Sequence, residues 1–246
     1  MNSSSQPQPS QPGSSMTPGE AASRRGEFFM ELQRFDEALV EFHRWVAAEP
    51  ENPWALAQLG YCYSRKFKFR EAIEYAQAAL ARSPDSFYMQ LNLGLCYYNT
   101  AQPEKAIEPL LAALAIDPND AQVHCLLGRC YFSTDQYDTA LPYAERVIQI
   151  EPHDLDAWYL KGLVLLETDQ IDAALSAFRE ALRCDPNYPE THYQIGICYL
   201  VQGKREQARR QFEETLRWTT IQEQGIGNEG NFTTLIRRGT KLTTLL

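Results

Sequence analysis

The 246-residue chain is 44% hydrophobic and 22% charged, with a formal net charge of −9, the make-up of an ordinary water-soluble protein of one or two domains. It shows no apolar run near the ~18 residues of a membrane span, and its N-terminus shows neither the basic nor the apolar region of a secretory leader. Residues 201–246 carry eight basic and five acidic side chains while the other 200 residues carry 15 and 27, and so acidic a body excludes nucleic acid as the main ligand.

Residues 1–18 hold six serines, four prolines and three glutamines and no charged side chain. Such a segment has too little apolar surface to offset its ordering entropy, so disorder is expected there. A single pattern then takes over. Glycines stand at 26, 60, 94, 128, 162 and 196, alanines at 38, 72, 106, 140, 174 and 208, and prolines at 50, 84, 118, 152 and 186, every step being 34 residues. The chain therefore divides into six units, 19–52, 53–86, 87–120, 121–154, 155–188 and 189–222. Residues 223–246 are left as a linker and a basic, partly apolar tail.

Each unit reads as two helices. In the fifth, DLDAWYLKGLVLLETDQ and then IDAALSAFREALRCDP place apolar residues at three- and four-residue steps. The proline near each unit's end stops the second helix. Asn52, Ser86, Asp120 and Asp154 stand where an N-cap opens the next unit, and Thr17-Pro18-Gly19-Glu20 has the form of a capping box with proline at the first helical position. Two prolines break the pattern: Pro109 and Pro142 fall about two turns into second helices, where a kink is expected. The sixth unit lacks a terminal proline, so its second helix is expected to run past Thr220. The repeated glycine sits inside a helix at a cost of about 1 kcal/mol, which close approach to the repeated alanine of the second helix would offset.

The unit resembles the tetratricopeptide repeat. Trp158 matches that family's fourth-place tryptophan, Tyr63, Tyr97, Tyr131 and Tyr199 its eleventh-place aromatic, and Phe42, Phe178 and Phe212 its twenty-fourth. The match covers 204 of the 246 residues. The resemblance implies an all-α, right-handed α-solenoid whose units bury their apolar faces against neighbours. The related pentatricopeptide repeat is one residue longer and basic, and neither property is present.

Four units contain Gly-x-Cys-Tyr, which puts Cys62, Cys96, Cys130 and Cys198 at the tenth place of a unit. That place shares a helix face with the tyrosine at the eleventh, so the cysteine is expected to pack as a small hydrophobe. The six cysteines and four histidines form no CxxC and no metal-ligand spacing, and there is neither a phosphate loop nor a nucleophile elbow. No catalytic residue, metal or cofactor is therefore expected, and reduced thiols point to the cytoplasm.

What varies between units lies on the opposite face of the first helix, which in tetratricopeptide proteins lines the concave groove. The resemblance implies a partner-binding groove of Trp54, Tyr61, Arg65, Tyr88, Leu91, Leu95, Tyr98, Arg129, Phe132, Tyr159, Leu163, Leu166, Tyr193, Ile197 and Leu200. So apolar and aromatic a lining points to a protein or peptide partner. The lysine and asparagine set with which chaperone-binding relatives hold a C-terminal carboxylate is absent, so the guest expected is an apolar helix or extended segment. The function expected is non-catalytic scaffolding or adaptation, or chaperone-type shielding of a hydrophobic client. The alternative is self-assembly, in which the tail (Phe232, Leu235, Ile236, Leu242, Leu245, Leu246) caps the last unit, fills its own groove, or fills a neighbour's in a homo-oligomer.

Overall fold

The computed structural model describes residues 16–225, with side chains to Thr219, and every regular element within them is an α-helix. Twelve helices follow in order: α1 (Pro18–Glu31), α2 (Phe35–Ala48), α3 (Pro53–Arg65), α4 (Phe69–Arg82), α5 (Phe87–Asn99), α6 (Pro103–Ile116), α7 (Ala121–Ser133), α8 (Tyr137–Ile150), α9 (Leu155–Glu167), α10 (Ile171–Cys184), α11 (Pro189–Val201) and α12 (Arg205–Gly225). The even-numbered helices begin 34 residues apart throughout. The helices form helix-turn-helix pairs, the architecture of an all-α solenoid. None of them is long and apolar enough to cross a membrane. The helices gather into two compact units, α1–α5 and α6–α12, with the division after Ala101. The expected disorder of residues 1–18 lies almost wholly outside the described residues, as does the tail from residue 226 onward.

Local chemistry sets the helix ends. The Thr17 hydroxyl accepts from the Glu20 N–H and the Glu20 carboxylate accepts from the Thr17 N–H, a complete capping box. Asn52, Asp120 and Asp154 cap α3, α7 and α9 by accepting from backbone N–H groups two or three residues on. Ser86 occupies the N-cap of α5 in an extended conformation, but its hydroxyl makes no capping bond. With no proline to stop it, α12 continues to Gly225. Helices α6 and α8 run through Pro109 and Pro142 respectively.

The turn inside each pair is also periodic. Gln33, Phe67, Ala101, Asp135, Asp169 and Gly203 all have left-handed backbone, with φ between 56° and 73°, and they stand 34 residues apart. After α3, for example, the Phe67 N–H donates to the Ser64 carbonyl and the Lys68 N–H to the Tyr63 carbonyl. This is the helix stop that satisfies the last carbonyls through one left-handed residue.

Within each pair, the repeated alanines are fully buried. The repeated glycines do not chiefly face them. A methyl group on Gly26, Gly162 or Gly196 would meet the ring of Phe42, Phe178 or Phe212 at 2.3–2.5 Å. In these pairs the glycine is room for a ring. At Gly60, whose opposite number is Ala76, backbone closes in instead, with the Ala72 oxygen and Ala76 nitrogen at 3.1 Å, and at Gly128 a methyl would meet a Leu160 side-chain carbon at 2.8 Å. The small residue thus makes room for a phenylalanine ring in three pairs and lets backbone approach in the α3–α4 pair.

Candidate functional site

Odd-numbered helices pack on one another, α3 on α5 in the first compact unit and α7 on α9 and α9 on α11 in the second. Helices α3, α7, α9 and α11 also pack against α4, α8, α10 and α12 respectively, so within each unit the odd helices form one layer. Most of the groove residues expected from the sequence are partly exposed on this layer.

In the first unit, the Trp54 and Tyr88 rings meet at 5.1 Å across α3 and α5, and both are exposed. Tyr61, Leu95 and Tyr98 are half-buried, whereas Leu91 is buried and belongs to the core. The Arg65 guanidinium donates to the Tyr61 hydroxyl and lies over the Phe35 ring. Asn92, which the periodic reading passes over, joins the two helices by donating to the Ala57 carbonyl.

The second unit brings together Arg129, Phe132, Tyr159, Leu163, Leu166, Tyr193, Ile197 and Leu200, all half-buried, on α7, α9 and α11. Its polar centre is an ion pair from Arg129 to Asp156 at 2.7 Å, beside a cleft of about 340 Å³ that includes Gln122 and Cys125. The Tyr159 ring meets Tyr188 edge-on and tilts against Phe178. Burial pushes both phenols upward in pKa, and it raises the Glu190 carboxyl as well. One Glu190 oxygen is buried without a hydrogen-bond partner. Tyr188 and Gln194, which donates to Tyr159, fall outside the sequence-based set because neither stands at the unit positions that define it.

The cysteines of Gly-x-Cys-Tyr are at most 1% exposed. Each of Cys62, Cys96 and Cys198 packs against the second helix of the preceding pair, Cys96 against Ala72 and Ala76 for instance. Phe28 holds the same place in α1, where no described helix precedes it, and is 55% exposed. Burial pushes the Cys62, Cys96 and Cys130 thiols up to about 12 and Cys198 to about 11, so nucleophilic thiolate is scarce at neutral pH. A thiol reagent at pH 8 is expected to modify Cys184 and then Cys125, which are partly exposed, and to reach the other four only in denaturant. Rapid labelling of Cys62 in the folded protein would contradict this packing. The neighbouring tyrosine makes the polar contact of the same joint. The Tyr63, Tyr97 and Tyr199 hydroxyls meet His43, Gln77 and Arg179 on the preceding second helix.

A further periodic contact is one that sequence reasoning missed. Gln90, His124, Trp158 and His192 share the fourth place of successive units, and each directs a side-chain nitrogen to the carbonyl of the proline six residues earlier, at 2.9–3.0 Å. The available signal is an N–H-bearing side chain at that place in four units running; likeness to the family singles out Trp158 alone.

A family model described as Tetratricopeptide repeat matches residues 65–130. The chain carries tetratricopeptide repeats. A second model, described as Anaphase-promoting complex, cyclosome, subunit 3, matches residues 133–215. Among solved structures, a crystal structure of MamA is 26% identical, with a TM-score of 0.61 over 68% of this chain and 97% of that one. YrrB, titled a tetratricopeptide protein with an unusual peptide-binding site, is 20% identical, with a TM-score of 0.58 over 72% of this chain and 91% of its own. A chain of the anaphase-promoting complex hetero-tetramer Cut9–Hcn1 is 19% identical, with a TM-score of 0.73 over 90% of this chain and 42% of that one. The last two likenesses are of fold alone. No curated protein matches the chain.

Proposed function

We propose that this tetratricopeptide protein is a non-catalytic, cytoplasmic scaffold or adaptor that holds an apolar helix or extended segment of a partner protein on its odd-helix face. The observation that carries the reading is the run of half-buried Phe132, Leu163, Leu166, Ile197 and Leu200 across three neighbouring helices, an apolar strip that water covers in the free chain. The tyrosines beside it supply rigid area with a polar tip, the kind of side chain that anchors protein interfaces. The polar centre at Arg129 and Asp156 would fix the guest's register rather than its affinity.

Capture from a lysate of the native host tests the reading. Tyr98→Glu and Leu163→Glu, each checked for helical content, are expected to lose at least tenfold of whatever wild type retains. Exposed changes on even-numbered helices should lose nothing. Equal recovery by all variants would move the binding surface elsewhere. In the self-assembly alternative, the mass of the purified chain rises with concentration and falls when residues 226–246 are removed; a mass that stays monomeric throughout rejects it.

A further inference from the structure

The turn between α3 and α4 differs from the other five. It reads Arg65-Lys66-Phe67-Lys68-Phe69-Arg70. Its left-handed position holds Phe67 at φ 58°, where the others hold Gln33, Ala101, Asp135, Asp169 and Gly203. A bulky side chain at positive φ is an outlier with a steric cost, and burial does not offset that cost here. The Phe67 ring is 79% exposed and touches Phe69 edge-on at 6.1 Å, itself 40% exposed. Leu32, in the turn that ends α1, is 50% exposed.

The charges beside these rings are of both signs, and their pairing decides what is left over. Lys66 pairs with Asp36, Arg70 with Glu74 and Arg34 with Glu37. Arg65 and Lys68 rest instead on the rings of Phe35 and Tyr63, at 5.1 and 5.7 Å. Glu71, at the start of α4, and Glu31, beside Leu32 at the end of α1, are further acids nearby. The tip therefore presents two projecting rings with an exposed cation on either side of Phe67.

We propose that this turn is a membrane-contact edge, in which Phe67 and Phe69 enter the interfacial layer of an anionic bilayer while Arg65 and Lys68 meet its headgroup phosphates. The shape favours lipid over protein. Two rings at the tip of a turn make a knob, and a protein partner must already have a matching hollow, whereas a bilayer interface closes around any aromatic knob. Basic residues beside an inserted ring gain from the negative surface potential of such a membrane. The steric cost of Phe67 then has a use. This surface adjoins the odd-helix face at Arg65, but Phe67, Lys68 and Phe69 lie outside that face, so variants at Phe67 and Lys68 test this reading independently of the other.

Sedimentation with phosphatidylcholine vesicles, with and without 30 mol% phosphatidylserine, tests it on the full chain. Wild type is expected to partition onto the anionic vesicles and to be released by salt. Phe67→Asn should weaken partitioning about tenfold without lowering Tm, because asparagine accepts the left-handed backbone, and Lys68→Glu should weaken it by a similar factor. Absence of partitioning overturns the proposal, and so does a Phe67→Asn chain that binds like wild type or melts earlier. Capture of a poly-glutamate peptide that also depends on Phe67, without vesicle binding, would assign the edge to an acidic protein and overturn the proposal equally.

Discussion

Replacing Phe178 with alanine is expected to destabilise the second compact unit by about 3–5 kcal/mol. The ring is fully buried and fills the space that Gly162 leaves open between α9 and α10, with its Cε1 atom 2.4 Å from where a methyl on that glycine would sit. Gly162→Ala alone should cost about 1–3 kcal/mol in overpacking, less about 1 kcal/mol returned by alanine's better helix propensity. Made together, the two changes should not add. In the Phe178→Ala background the new methyl enters the vacated space, so Gly162→Ala becomes neutral or favourable, with a coupling of about 1–3 kcal/mol. Denaturant unfolding of the four chains measures this directly; additive costs would show that glycine and ring do not share that volume.

The second large effect has the opposite sign. Pro142 lies inside α8 and is exposed. It has no N–H for the Asp138 carbonyl, and its ring crowds that same carbonyl, at a cost of about 3 kcal/mol in a helix interior. Alanine there loses no burial and gives back roughly 1 kcal/mol through a freer unfolded chain. Pro142→Ala should therefore stabilise by about 2 kcal/mol, seen as a rise of several degrees in Tm. Pro109 is buried in α6, so Pro109→Ala also forfeits packing and should gain much less. Equal gains at both sites would mean that burial of the Pro109 ring contributes nothing.

The periodic part of the structure was legible because packing repeats. Gly, Ala and the capping residues recur every 34 positions, and the helices recur with them. Spacing finds the partner of Gly60, the repeated Ala72, but misses that of Gly26, Gly162 and Gly196, because it reveals that two residues are small and not what lies between them. The ring of Phe178 shows that a twenty-fourth-place aromatic takes up the room, and a pairing of the eighth and twenty-fourth places would have found it. The left-handed turns escaped notice for another reason. Only Gly203, and less strongly Asp135 and Asp169, announce that backbone; Gln33, Phe67 and Ala101 do not, since the turn imposes it on them. On the odd-helix face, helical spacing placed Leu91 among the exposed residues, yet it is 7% exposed. Packing between neighbouring odd helices, which α3 and α5 make, has no imprint within a single unit.

The bonds from Gln90, His124, Trp158 and His192 to the preceding proline carbonyls have a mechanical consequence. Three of the four clasps lie in the second compact unit, while Leu56 holds the equivalent place in α3 and has no side-chain N–H to offer. Under tension applied through its two ends, the chain should yield first near α1–α4, at low force and in small steps. The stretch from α7 to α11, riveted at each joint, should hold to a higher load and then give way as one block.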